Sequence, residues 1–515
     1  MAKGLGQIKI PAFIAVMMMC ASLVVPGPSW AGPDTALVKL DQQLADFSDV
    51  LSQDSAAGRL SMGELMQRSG LTGLTPDLPY PGQNTGVPKK PADTPTQMAT
   101  ATAEGFRTAL ALLTQVHGGE DNIDILNAHP NGRTEALTFR SGLVTLDHIR
   151  ASLAQIIPRA QMQQWDNTLR VPVILWDDTV LQLGPEDHIQ LSRSDGAFII
   201  SLGRVEINGS RVGVVGDAPP ASKDFFPFFT IGGGGALQMD RAVFQGLGFG
   251  NTPKFSGLSV VDHPLLPSLG ETRITDSYFD NVLTLALSGI SRAEVSGNKF
   301  SNMRNNALLL STSPQTRVQG NLFFGESPTN AIRVLRGSNH SVLTGNVLLQ
   351  GERSGILVQG QSNHVEVSGN VIWRRGGGAV KISKSHCSVV RHNVILNSRQ
   401  KGVDIRASSQ TTVQANTIAG SRSAGIWVSN QPRHAVTYVS DNILRQNKSG
   451  LSTATGAQVM LVGNDLSDQL PRLIEGDIVL HNRAVATNLR GAVPMMISAS
   501  ATQYPAQASL ADCAP

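Results

Sequence analysis

The sequence predicts an all-β solenoid, a right-handed parallel β-helix with an N-terminal helical arm, on three observations. Asn298, Asn321, Asn346, Asn370, Asn393, Asn416, Asn442 and Asn464 recur at intervals of 22 to 26 residues. Each closes a short run rich in β-branched residues or Leu (AEVSGN, TRVQGN, SVLTGN, VEVSGN, SVVRHN, TTVQAN, TYVSDN, VMLVGN). A second run usually follows after a Gly or Ala (ALLL, AIRV, GILV, AVKI, GVDI, GIWV). Two or three short strands per period, with no helix between, point to one coil of a parallel β-helix per repeat. Leucine-rich repeats share the length but carry fixed Leu spacings, which are absent here. Equivalent positions in successive coils stack at about 4.8 Å, so the Asn column predicts an amide ladder at a corner.

Taken from the N-terminus, Lys3 and Lys9 precede an apolar run from Ile10 to Val25, then Pro26, Pro28 and Ser29-Trp30-Ala31. This is the pattern of a secretory signal peptide over 1–31, so the mature chain is expected to be periplasmic or secreted. Cys20 lies in a poor lipobox, and no later stretch approaches the roughly 18 apolar residues of a membrane span. Residues 32–125 read as a helical arm with a Pro-rich linker. Leu37, Leu40, Leu44, Phe47 and Leu51 have helical spacing after Asp34 as N-cap, Pro76 to Pro95 make the linker, and a second helix is expected from Thr102 to Val116, ahead of Gly118-Gly119. The arm carries no recognisable chemistry, and residues 35–116 are a candidate docking element for export-complex proteins. Residues 126–480 form the β-helix, with one amphipathic helix near Leu146 to Ile157, and 481–515 form a C-terminal tail. Cys387 lies in the repeat and Cys513 in the tail; an oxidising compartment permits their pairing, and two free thiols are equally open.

Composition narrows the function. The 515 residues include 42 Lys or Arg and 39 Asp or Glu, with 41% hydrophobic and 16% charged, which excludes a disordered chain, a disulfide scaffold and a multi-span membrane protein. Between Lys299 and Lys448, however, 18 Lys or Arg face 5 Asp or Glu. Such segregation suggests an anionic partner. No nucleic-acid motif and no interleaved aromatics accompany it, so nucleic acid is not expected and an anionic polysaccharide fits better.

Alternation in the second run sorts inside from outside. Ile332 and Val334, Ile356 and Val358, Val380 and Ile382, Val403 and Ile405, and Ile426 and Val428 should fill the bore. Leu309, Arg333, Leu357, Lys381, Asp404 and Trp427 should form an outward column, with Ser311, Leu335, Gln359, Ser383, Arg406 and Ser429 in a second. Arg336 and Lys384 sit where the strand turns. His340, His364 and His386, with Gln315 and Gln410 in equivalent slots, read as a polar turn column; no carboxylate joins them, and no metal site is expected.

With GAFIISLGRVEING at 196–209, FFPFFTIGGGG at 225–235, FQGLGFG at 244–250, SGLSV at 256–260 and the repeats that follow, the chain from about Leu137 to Asp477 resembles the periplasmic alginate (mannuronan) C5-epimerase family. The resemblance implies a right-handed parallel β-helix that converts mannuronate to guluronate within the polymer during export. Such chemistry needs a base and an acid on opposite faces of C5 and a cation on the sugar carboxylate. The family's Asp-Pro-His-Asp motif aligns with Leu309, Leu310, Ser311 and Thr312, none of which carries its ionisable groups. The supporting Arg on the next coil is matched by Arg336. Asp262-His263-Pro264 has similar letters but lies two coils earlier and reads as a loop.

The chemistry is therefore expected farther along the groove. Asp404, Lys381 and Arg406 are the candidate catalytic residues; Arg333, Arg336, Gln359, Lys384 and Trp427 are the candidate substrate-binding residues. An ordinary cross-strand ion pair also explains Lys381 beside Asp404. No cofactor is expected, and a supporting role for Ca²⁺ is left open without being indicated. The function expected is that of an exported polysaccharide-modifying protein acting on an acidic exopolysaccharide. The alternatives are a noncatalytic polysaccharide-binding guard or assembly factor of an export complex, and an adhesion solenoid.

Overall fold

The computed structural model describes residues 34–53, 94–129, 134–156, 166–262 and 268–505, together with 60, 64, 65, 67, 71 and 513. The leader at 1–31, the linker prolines from Pro76 to Pro91 and the His263-Pro264 pair lie outside the described residues. Two compact units are formed, Met1–Gln42 and Gln43–Pro515. Residues 34–42, the start of helix Asp34–Gln53, are the described part of the first, and the rest of that helix belongs to the second.

In the second unit the strands coil into three sheets of 15, 15 and 12 strands, here called sheets 1, 2 and 3 in the order a coil visits them. One coil runs through Ile332–Leu335 in sheet 1, Val342–Thr344 in sheet 2 and Val347–Leu348 in sheet 3 before a loop returns to sheet 1. Successive coils pair in parallel. The expected bore residues, from Ile332 to Val428, are all fully buried. Phe244, Phe279, Phe300 and Phe323 stack coil on coil in the same interior, with centroid separations of 5.9, 5.0 and 4.7 Å.

The amide ladder forms at the corner between sheets 2 and 3. Each Asn donates from Nδ2 to Oδ1 of the next, from Asn298 to Asn464, at 2.9 to 3.0 Å. The same Oδ1 accepts the preceding Asn's backbone N–H, so one buried side chain satisfies two donors. The residue before each Asn takes a left-handed conformation. Gly fills that position at 297, 320, 345, 369 and 463, whereas His392, Ala415 and Asp441 hold it with φ of 54, 52 and 56°. A Cβ there costs about 1–2 kcal/mol, against about 0.5–1 kcal/mol for the greater freedom glycine loses on folding. Ala415→Gly is therefore expected to stabilise the coil by about 0.5–1 kcal/mol, read as a rise in thermal midpoint; a fall would contradict that balance.

The N-terminal part departs from the expected pattern. Thr100–Gly105, expected to begin a helix at Thr102, is a strand paired antiparallel with Glu135–Arg140. Its alternating Thr and Ala suit an edge strand, and pairing overrides local helical preference. The helix proper is Arg107–His117. Helix Leu146–Ile156 plugs one end of the bore with Leu146, Ile149 and Leu153, and Ile478, Val485, Met495 and Ile497 belong to the core at the other end. Leu44, Phe47 and Leu51 are buried, and Ser48 Oγ accepts a hydrogen bond from Gln350 at 3.3 Å. Cys387 and Cys513 form a disulfide with Cα atoms 5.6 Å apart, tying the tail to the coil.

Candidate functional site

The outer face of sheet 1 is divided. Its first coils present apolar residues outward, including Ile174, Phe198, Ile200 and Phe228, and these are buried beneath Phe106, Leu110 and Leu113 of the helix region and Ile125 of helix Asn122–Asn127. The glycine run at 232–235 makes this seating possible: a Cβ on Gly232 would come within 2.7 Å of the Leu113 side chain. From Leu309 onward the face carries partly exposed side chains, so a groove begins where the helical cap ends.

Strand register places the sequence-predicted column along this groove. Leu309, Arg333, Leu357, Lys381, Asp404 and Trp427 stand opposite one another in successive coils. Asp404 is buried at the floor. Its Oδ2 lies 3.8 Å from Lys381 Nζ and 3.4 Å from Lys401 Nζ, while its Oδ1 is buried without a hydrogen-bond partner. Lys401, which sequence reasoning did not single out, also lies 4.5 Å from the centroid of the Trp427 ring and so covers one of its faces. Arg406 projects from the same strand as Asp404 and is exposed, level with Ser383 and Ser429.

The remaining candidates lie nearer the cap. Arg333 is half-buried and its Nε has no partner. Burial, then the charge of Arg336, lowers the basicity of its guanidinium. Arg336 and Lys384 are exposed at left-handed positions where their strands turn away, with φ of 56 and 51°. Gln359 pairs in register with Ser383. Asp404, Lys381 and Arg406 are thus gathered in one stretch, with Arg333 and Arg336 two to three coils away, about 10–14 Å at the strand spacing.

Much of the local positive charge is structural rather than free. Arg375 is buried without a carboxylate and donates to the carbonyls of Leu349, Gln350, Thr329, Ser354 and Arg353, with burial pushing its pKa down to about 10. Arg304 donates to the carbonyls of Asn281, Gly246, Leu247 and Gly248. Lys299 donates to Leu60 O. These cations tie down loops, so the groove's share of the surplus falls to Arg333, Arg336, Lys381, Lys384, Lys401 and Arg406.

The histidine column needs one correction. Gln315, His340, His364, Cys387 and Gln410 share the left-handed position, whereas His386 sits one residue earlier, beside Asn363 and Ser409. His340 and His364 stack at 4.7 Å. Among the described residues, no group of three or more His, Cys, Asp or Glu is placed to hold a metal ion.

Two histidines report on the cap. Burial, with Lys254 and Arg336 nearby, pushes His117 from 6.5 down to about 4, and burial lowers His129 too. His117 is neutral in the folded state above about pH 4 while the unfolded chain binds a proton there below about 6.5, so stability falls as pH drops from about 6.5 towards about 4, and the lowered His129 acts in the same direction. Thermal midpoints measured across that window should fall less steeply for His117→Gln than for the parent; parallel curves would contradict the assignment.

Comparison with known proteins places this geometry. The family model described as Periplasmic copper-binding protein (NosD) matches residues 325–471, and that of the right handed beta helix region matches residues 267–382. A mannuronan C5-epimerase of Pseudomonas putida is 21% identical over 331 residues, covering 60% of this chain and 62% of the relative, so the match spans less than two thirds of that protein. The crystal structure of the periplasmic alginate epimerase AlgG superposes with a TM-score of 0.61 at 16% identity, covering 75% of this chain and 94% of that one. A mutant of that enzyme gives 0.60 at 17% identity, covering 75% and 96%. The chain is a right-handed parallel β-helix protein related in sequence to a mannuronan C5-epimerase and sharing the fold of the periplasmic alginate epimerase.

Proposed function

We propose that this is an exported protein that binds an acidic polysaccharide along the sheet 1 groove and modifies it at Asp404. The observation that carries the reading is the Asp404 carboxylate, buried at the groove floor with Oδ2 held by two lysines and Oδ1 unpartnered. The relatedness to a mannuronan C5-epimerase supports a polysaccharide substrate, and the NosD and AlgG likenesses support a location outside the cytoplasm. Among the described residues, no helix is long and apolar enough to cross a membrane.

In this reading the Asp404 carboxylate takes the proton from C5 of a uronate. The C5–H electron pair moves into the sugar carboxylate, and Lys381 neutralises the charge that develops there. Arg406, on the same strand, holds that carboxylate. A water molecule on the opposite face of C5 returns a proton there, leaving hydroxide that takes the proton held by Asp404, and gives the epimer. Expulsion of the C4 oxygen instead, with the proton held by Asp404 passing through water to the departing oxygen, gives an unsaturated sugar. No step draws on a cofactor.

The test is to incubate the mature protein with polymannuronate in D₂O. Deuterium at C5, or an unsaturated product absorbing in the ultraviolet, is the expected result. Saturable binding with neither product would overturn the catalytic assignment and favour a noncatalytic guard of the polymer, the reading supported by the absence of ionisable groups at Leu309, Leu310, Ser311 and Thr312. Binding should weaken as salt rises, because exposed charges are screened beyond about 10 Å at 0.1 M. Equal retention of a neutral glucan would contradict an electrostatic groove.

A further inference from the structure

The cations of the sheet 1 groove are not spread evenly along it. From coil to coil the outward residue of the strand is Leu309, Arg333, Leu357, Lys381, Asp404 and Trp427, each in register with the next. Arg333 and Lys381 are therefore two coils apart, about 10 Å at the strand spacing. Leu309, Arg333, Leu357 and Lys381 are all partly exposed, whereas Ile356 and Val358, on either side of Leu357, are fully buried. The strand between the two cations offers the groove no charge: after Leu357 it continues to Gln359 and turns at Gly360, where the Lys381 coil turns at Lys384. Charged and uncharged coils thus alternate up to the coil of Asp404.

An extended chain of equatorially linked pyranoses advances by nearly one strand spacing per sugar, so a chain lying along the column sets about one sugar on each coil. With the carboxylate of the reacting uronate on Lys381, its neighbour lies over Leu357, and the sugar after that brings its acid group to Arg333. The sugar over Leu357 meets an isobutyl group and the uncharged Gln359. A pyranose C–H face gains there by excluding water, whereas a carboxylate would lose water without finding a counter-charge.

We propose that the groove is built for a polysaccharide with a disaccharide period, in which an acidic sugar alternates with a neutral one, and that Leu357 selects the neutral sugar. The proposal rests on the acidic-polysaccharide reading and narrows its substrate class to an alternating polymer instead of a homopolyuronate. Net charge alone favours the opposite order, because a homopolyuronate carries twice the charge per unit length.

The test is calorimetry of the mature protein with three tetrasaccharides at equal ionic strength: tetramannuronate, a β-linked alternating glucuronate–N-acetylglucosamine chain, and neutral chitotetraose. The alternating chain should bind about three- to fivefold more tightly than tetramannuronate, the scale of one half-exposed ion pair, and chitotetraose more weakly than both. Leu357→Lys supplies the missing cation. It should raise the affinity for tetramannuronate by a similar factor and lower that for the alternating chain, reversing their order. Arg333→Gln should weaken both acidic ligands. The parent's own preference decides the matter if Leu357→Lys does not fold. Equal or tighter binding of tetramannuronate by the parent, or a gain for both acidic ligands alike in Leu357→Lys, would overturn the alternating period and leave the groove reading standing. Binding of neither acidic tetrasaccharide would sink both.

Discussion

Replacing Ile356 with Asp is expected to unfold the coil. Ile356 is fully buried and pairs in register with Ile332 and Val380, so the new carboxylate would meet only aliphatic neighbours above and below. An unpaired charge there costs several kcal/mol even after relaxation. Loss of the Ile side chain adds about 2–5 kcal/mol. Together these rival the whole stability of an ordinary domain, about 5–15 kcal/mol. Leu357→Asp, one residue on, is the matched control, because Leu357 faces the groove. It should fold and melt within a few degrees of the parent. Loss of the far-ultraviolet β signal in the first variant and its retention in the second is the expected pair of results. The reverse pair would mean that inside and outside are assigned wrongly.

The second large effect is on chemistry. Asp404→Asn should lower C5 exchange by at least about 10²-fold, the usual contribution of a general base, while leaving the fold intact. The amide keeps the size and a hydrogen-bonding oxygen but cannot take a proton. Lys381→Ala should impair both binding and turnover, because in the proposed mechanism the ammonium 3.8 Å from Asp404 is the cation that neutralises the developing enediolate. Lys401 complicates that comparison, since it shares the same carboxylate oxygen. A Lys401→Ala variant should therefore alter the seating of Trp427 and Asp404 together, seen as a change in tryptophan fluorescence. Exchange that survives Asp404→Asn would show that the base lies elsewhere.

The coil was legible because a parallel β-helix writes itself into local spacing. The Asn intervals follow from one ladder position per coil, and the alternation from Ile332 to Val428 separates bore from surface without knowledge of distant contacts. The groove column was legible for the same reason. Thr100–Gly105 was mistaken for the start of a helix because its partner, Glu135–Arg140, lies across the cap rather than in the local pattern. Lys401 lies outside the strand alternation, in the loop before Val403–Arg406, and only the folded turn brings it onto Asp404 and Trp427. His386 was placed one position out because the turn between sheets 1 and 2 varies in length by a residue while the ladder beneath it does not.

The most direct test compares two double variants for binding to polymannuronate at low ionic strength. Arg333→Gln with Arg336→Gln removes two cations from the sheet 1 groove. Arg399→Gln with Arg422→Gln removes the same charge from the exposed loops between sheets 3 and 1. If an acidic chain lies in the groove, the first pair should lose at least about tenfold in affinity, about 1.4 kcal/mol, and the second pair should stay within about twofold of the parent. Equal losses in both pairs would mean that the polymer senses only net charge, and would contradict a groove site.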